Sequence, residues 1–219
     1  MNVLVISPHP DDETLGAGGT ILKLVNEGHL VFWLNITNMK EEYGYAKETI
    51  EKRLNEILKV KDALGIRQIY DLKLKPAGLD TYPMNVIIQK IKEVFDEVRP
   101  SLVILPYLYD AHSDHKIVFE AASACTKAFR APYIKTVLCM EIISETNYGY
   151  VENTFKPNYY VDISDYIEKK IEIVSHYNGE ILAPPFPRNH EAIKSLAAYR
   201  GSSCAKYYAE AFLLQIEIT

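Results

Sequence analysis

Short apolar runs rich in β-branched residues alternate along the chain with longer stretches whose apolar positions recur at helical spacing. This is the pattern of βαβ units around a mainly parallel sheet. Val3-Leu4-Val5-Ile6 is the first apolar run. The helix expected over 16–27 is closed by Gly28, a residue that tolerates the left-handed conformation found just past helix ends. A strand over 30–36 follows, and residues 48–64 carry Ile50, Leu54, Ile57 and Leu58 at helical spacing before ending at Gly65. The same reading gives a short strand over 69–72, a loop over 76–83, a helix over 84–98, a strand over 102–105, a helix over 115–129 and a strand over 136–140. This core pattern spans 2–141. Beyond it the spacing predicts a strand over 159–163, helices over 166–177 and 189–199, and a last strand over 211–218. No internal repeat or low-complexity linker interrupts the chain, so 1–219 reads as one α/β domain whose C-terminal segment completes the sheet and the site.

Polar chemistry gathers where two of these strands end. Ser7-Pro8-His9-Pro10-Asp11-Asp12-Glu13-Thr14 follows the first strand and sets an imidazole beside two adjacent carboxylates. Its prolines are expected to keep the cluster in a stiff connection outside strand and helix. Neighbouring carboxylates repel unless a cation or a proton neutralises them, so such a group binds metal or shifts a pKa. The strand over 102–105 runs into Pro106-Tyr107-Leu108-Tyr109-Asp110-Ala111-His112-Ser113-Asp114-His115. In open α/β sheets ligands bind outside the carboxyl ends of the parallel strands, where two such clusters can converge despite their separation. From spacing alone both His112 and His115 are possible metal ligands, because residues three apart share a helical face.

The glycine-rich stretch Gly16-Ala17-Gly18-Gly19 lies where a dinucleotide-binding loop would sit, but Ile21 occupies the position that needs the third glycine. These glycines are read as places for close packing.

Composition narrows the class. At 219 residues, with 48% hydrophobic and 24% charged residues, the chain matches an ordinary globular protein. No apolar run approaches membrane-spanning length, and Met1-Asn2-Val3-Leu4 lacks the basic start and cleavage site of a signal peptide, so a cytoplasmic location is expected. Cys125, Cys139 and Cys204 are odd in number and widely spaced, which excludes a disulfide framework and a cysteine metal site. A net charge of −5 argues against nucleic acid as partner.

The motifs resemble those of the LmbE-like, or PIG-L, zinc-dependent N-deacetylases. His9-Pro10-Asp11-Asp12-Glu13 followed by Gly16 and Gly18-Gly19 is similar to the family's first motif, and His112-Ser113-Asp114-His115 to its second. Arg53 with Glu56 before Leu64-Gly65, and Tyr199-Arg200-Gly201 with Ala209-Glu210-Ala211-Phe212, extend the likeness. The resemblance implies a Rossmann-like three-layer α/β fold and removal of an N-acetyl group from an amino-sugar derivative of the N-acetylglucosaminyl type. It assigns one zinc ion per chain to His9, Asp12 and His115, with other divalent transition metals able to occupy such a site. It makes Asp11 the general base and His112 an acid or electrostatic stabiliser, with Asp114 orienting that imidazole. A homo-oligomer is also implied. Three protein ligands with one open position suit a catalytic rather than a structural zinc site.

Arg53 is a candidate substrate contact whose plainer reading is a surface pair with Glu56. Arg188 and Arg200 are further candidates because they lie near C-terminal loops, and Tyr109 is the aromatic residue chosen to line the pocket. Two rivals to the deacetylase reading are a metal-dependent phosphoesterase and a non-catalytic metal- or sugar-binding protein. The first usually needs a richer, bridging ligand set, and the second leaves Asp11 without a task.

Overall fold

The computed structural model describes residues 1–219. Seven strands form a single sheet in the order β3-β2-β1-β4-β5-β7-β6. β1 (Asn2–Ser7), β2 (Leu30–Thr37), β3 (Gln68–Leu74), β4 (Leu102–Leu105) and β5 (Thr136–Met140) run parallel, and β7 (Ala209–Glu217) pairs antiparallel with both β5 and β6 (Tyr159–Asp162).

The central strands are apolar throughout because both of their faces are covered. Val3 and Val5 point into one layer, with α1 (Asp12–Asn26), α2 (Lys47–Leu64), α5 (Ile167–Val174) and α6 (His190–Ser202). Leu4 and Ile6 point into the other, with α3 (Met84–Val98) and α4 (Ser113–Cys125). Period-two alternation along the strands therefore generates the three layers. Trp33 is fully buried in the first layer, where its indole N–H donates to Ser7 Oγ at 2.6 Å. No helix is long and apolar enough to cross a membrane.

Strand order reverses between β1 and β4, since the chain first builds outward through β2 and β3 and then crosses back to the other side of β1. A crevice opens at the carboxyl ends of strands at such a switch point. Both polar clusters follow these two strands.

Two helices begin earlier than their apolar spacing predicts. α1 starts at Asp12 rather than at 16, because Pro10 precedes the N-cap position and so removes no helical bond, while Asp12 and Glu13 suit the positive end of the helix. α4 starts at Ser113 rather than at 115, with His112 as its N-cap. Asp12, Glu13, Asp114 and His115 thus occupy helix N-termini, while His9 stays in the connection before α1.

Close packing of α1 needs its glycines. A Cβ on Gly16 would lie 2.7 Å from the Met140 sulfur, and one on Gly19 would lie 2.8 Å from Ile163. Beneath this stretch the fully paired Lys170 and Glu210 meet at 2.7 Å. Glu210 accepts the Gly19 and Thr20 N–H groups at 2.9 and 2.7 Å, and Lys170 donates to the Leu15 carbonyl at 2.7 Å. The last strand is in this way stitched to the first helix.

Candidate metal centre and its cleft

Three side chains from the two strand-end clusters converge. His9 follows β1, Asp12 opens α1 and His115 lies in the first turn of α4, and their donor atoms lie within 4.8 Å of one another. Asp12 Oδ2 is 3.4 Å from both His9 Nδ1 and His115 Nε2. The remaining nitrogen of each imidazole is held by a carboxylate. His9 Nε2 donates to Asp114 Oδ2 at 3.0 Å, and His115 Nδ1 donates to Asp110 Oδ2 at 2.8 Å. Each ring directs its other nitrogen, His9 Nδ1 and His115 Nε2, toward Asp12, and in the neutral form that nitrogen would offer a lone pair, the arrangement in which metal-ligating histidines are found.

The group fits a divalent cation. Asp12 Oδ1 and His115 Nε2 are buried and have no hydrogen-bond partner, a costly state that a shared cation would relieve. Electrostatics point the same way. Burial disfavours a charged His9, yet hydrogen bonds from Asp114 and Asp12 outweigh it and raise the imidazole to about 9. Burial likewise opposes a charged His115, but Asp12 and Asp110 lift it to about 10. A metal ion entering here displaces protons that the site holds firmly, so its binding is coupled to proton release.

Asp11 stands beside this group with an unusual backbone, at φ 136° and ψ −30°. Such a conformation is strained for a non-glycine residue and persists only where neighbours fix it. Its N–H donates to Glu13 Oε2 at 3.0 Å, while the other Glu13 oxygen accepts from the Tyr177 hydroxyl at 2.8 Å and from Thr14. Burial pushes Glu13 up to about 7, against these donors. Burial also raises the Asp11 carboxyl well above the ordinary range, opposed by the Arg188 guanidinium 2.6 Å away.

Asp114 does not reach His112 through its carboxylate, because that group is committed to His9 and to the N–H groups of Ala77 and Leu79 at 2.8 and 3.2 Å. Instead the Asp114 backbone N–H donates to His112 Nδ1 at 3.1 Å. This fixes the His112 tautomer with its proton on Nε2. Burial, then the neighbouring His9, lowers the His112 pKa and favours the neutral ring.

A cleft of about 240 Å³ opens above these residues, walled by His9, Asp11, His112, Asn38, Met39, Tyr45, Arg53, Glu145, Glu180 and Arg188 among others. Arg53 and Arg188, both candidates from sequence, are here. The Arg53–Glu56 pair exists at 3.4 Å, but both side chains are buried rather than on the surface, and Arg53 also bonds Glu180. Arg200 and Tyr109 are not among the cleft residues. Arg200 donates through Nε and Nη2 to Glu141 and borders a separate small cavity, and Tyr109 packs its ring against Tyr107 and Tyr150. Asp110, Glu145, Glu180 and Thr146, whose hydroxyl donates to Asp110 at 2.7 Å, were not singled out by sequence. Only Asp110 carried a signal, as the further acid within the second cluster.

A family model described as PIG-L, GlcNAc-PI de-N-acetylase, matches residues 4–126. The chain is 31% identical over 223 residues to a diacetylchitobiose deacetylase of Thermococcus kodakarensis, covering 95% of this chain and 80% of that protein. It is 33% identical over 148 residues to a probable N-acetyl-alpha-D-glucosaminyl L-malate deacetylase 2 of Bacillus cereus, covering 62% and 67% respectively. Among solved structures, the conserved protein TT1542 from Thermus thermophilus superposes with a TM-score of 0.80 at 26% identity, covering 99% of this chain and 96% of that one.

Proposed function

The chain belongs to the PIG-L family, and from that membership and the site's geometry we propose that it is a zinc-dependent N-deacetylase releasing acetate from an N-acetylglucosaminyl-type compound. The observation that carries the reading is the convergence of His9, Asp12 and His115 beside the spare carboxylate of Asp11, with Asp12 Oδ1 and His115 Nε2 buried and without partners. His9, Asp12 and His115 would hold the ion, and a divalent cation there would polarise the acetyl carbonyl and lower the pKa of water. Asp11 removes a proton from water as the water oxygen bonds to the acetyl carbon, its carboxylate held in place by the Arg188 guanidinium at 2.6 Å. His112 donates its Nε2 proton as a hydrogen bond to the carbonyl oxygen as negative charge develops there, a task for a neutral ring. The C–N bond then breaks, and Asp11 returns the proton to the amine nitrogen. Acetate and a free amino sugar leave.

The deciding experiment follows acetate release from a panel of N-acetylated amino sugars, including glycosides, sugar phosphates and nucleotide sugars, using metal-stripped protein before and after zinc addition. Zinc-restored release from at least one class is expected. Bound zinc with no release from any member would overturn the reading. An Asp11→Asn variant should keep its zinc while turnover falls by about two to four orders of magnitude.

A further inference from the structure

The cleft contains two guanidinium groups, and both are already matched by neighbouring carboxylates. Arg53 Nη2 donates to Glu180 Oε1 at 2.5 Å, and its Nε lies 3.4 Å from Glu56. Arg188 donates to Asp11 at 2.6 Å and to Glu145 at 3.0 Å, with Glu180 at 3.4 Å and the Ser144 hydroxyl at 2.6 Å. Two guanidinium groups are thus surrounded by the carboxyl groups of Asp11, Glu145 and Glu180 on the cleft wall and of Glu56 behind it. Glu180 is the member that touches both arginines, and its side chain keeps 31% of its surface exposed. A guanidinium carries five N–H donors, so ion pairing leaves some free for the hydroxyl groups of a sugar while its charge is offset. An incoming phosphate or carboxylate would find no unmatched cation on this wall and would meet Glu145 and Glu180 at close range.

We infer that the cleft selects its substrate by charge. It accepts N-acetylated sugars whose neighbouring group is neutral or cationic and discriminates against those bearing an anionic group, with Glu180 as the residue that sets the preference. This rests on the deacetylase reading of the same site. Specificity of this kind arises from a repulsive element as much as from an attractive one.

The test uses three glycosides of N-acetylglucosamine that differ only at the end of a short aglycone: 2-hydroxyethyl, 2-aminoethyl and carboxymethyl. With the zinc-loaded full chain, kcat/KM for the carboxymethyl compound should fall at least ten-fold below the other two, and added salt should narrow the gap. Glu180→Gln should raise the carboxymethyl-to-hydroxyethyl ratio at least three-fold. A carboxymethyl glycoside turned over as well as the neutral one by the unaltered protein would overturn the inference. Calorimetric binding of the three corresponding free amines reads the same order without turnover. An absence of acetate release from all three would therefore count against the deacetylase reading, while the binding order still decides the charge preference: weakest binding of the carboxymethyl amine upholds it, and equal or tighter binding overturns it.

Discussion

Two clusters of charged groups are buried in this molecule, and they differ in what they leave unsatisfied. Under α1, Lys170 and Glu210 pair with each other and with backbone groups at Leu15, Gly19 and Thr20, so that neither charged side chain wants a partner. At the strand ends, His9 and His115 are held from behind by Asp114 and Asp110, yet Asp12 Oδ1 and His115 Nε2 are buried without a hydrogen-bond partner. The neutral Thr20 hydroxyl is the only other buried side-chain atom without a partner. A closed network supports a fold; a network closed on every side but one marks where a ligand belongs.

Substitutions can break or sharpen that contrast. The largest effect is expected at the open cluster, where His115→Ala should abolish zinc retention and lower turnover by about three orders of magnitude or more, the several kcal/mol that a Lewis acid supplies. Metal analysis and acetate release measure both, and an active variant would end the comparison. At the closed cluster, Lys170→Met leaves Glu210 buried without its cation and should cost about 3–5 kcal/mol of stability. Urea unfolding reads this loss, whereas the folded fraction should keep its zinc. Next comes Asp110→Asn, which weakens the grip on His115 and should reduce zinc affinity about 10- to 100-fold, and it should also lower the unfolding midpoint of the metal-free protein because a buried partner of the charged imidazole is gone. The smallest effect is assigned to Tyr177→Phe, which removes one donor from Glu13 and should cost about 1–3 kcal/mol. Because Glu13 holds the strained Asp11 backbone, kcat should fall more than KM rises. Unchanged kcat in this variant would show that Asp11 keeps its geometry without that support.

The parallel core was legible in the sequence for a physical reason. Strands covered on both faces are continuous apolar runs, and the spans over 102–105 and 136–140 agree with β4 and β5 to the residue. The convergence of the two polar clusters was legible because each follows a strand adjacent to the switch point, whereas the choice of His9, Asp12 and His115 within them came from the family resemblance. The C-terminal half was harder. α5 ends at Val174 rather than at 177, and Tyr177 turns inward to Glu13 from beyond the helix, a contact with no periodic signature. Glu145 and Glu180 sit in turns and Thr146 opens a single 3₁₀ turn, where hydropathy carries no directional information. The choice of Tyr109 and Arg200 as cleft residues failed on the same ground, since proximity in sequence to a loop or a motif does not say which way a side chain faces. Tyr45, from the loop before α2, reaches the cleft instead.

The stitch between Glu210 and the amides of Gly19 and Thr20 spans 191 and 190 residues of chain. Contacts so distant form only after a large loop has closed, and topologies that depend on them fold slowly. The helix that presents Asp12 is therefore anchored by a strand that lies far from it in the chain. Both histidine motifs lie N-terminal to Glu210, so the helix under the cleft takes its final seat only when these two distant segments have met, and not when the motifs alone are in place.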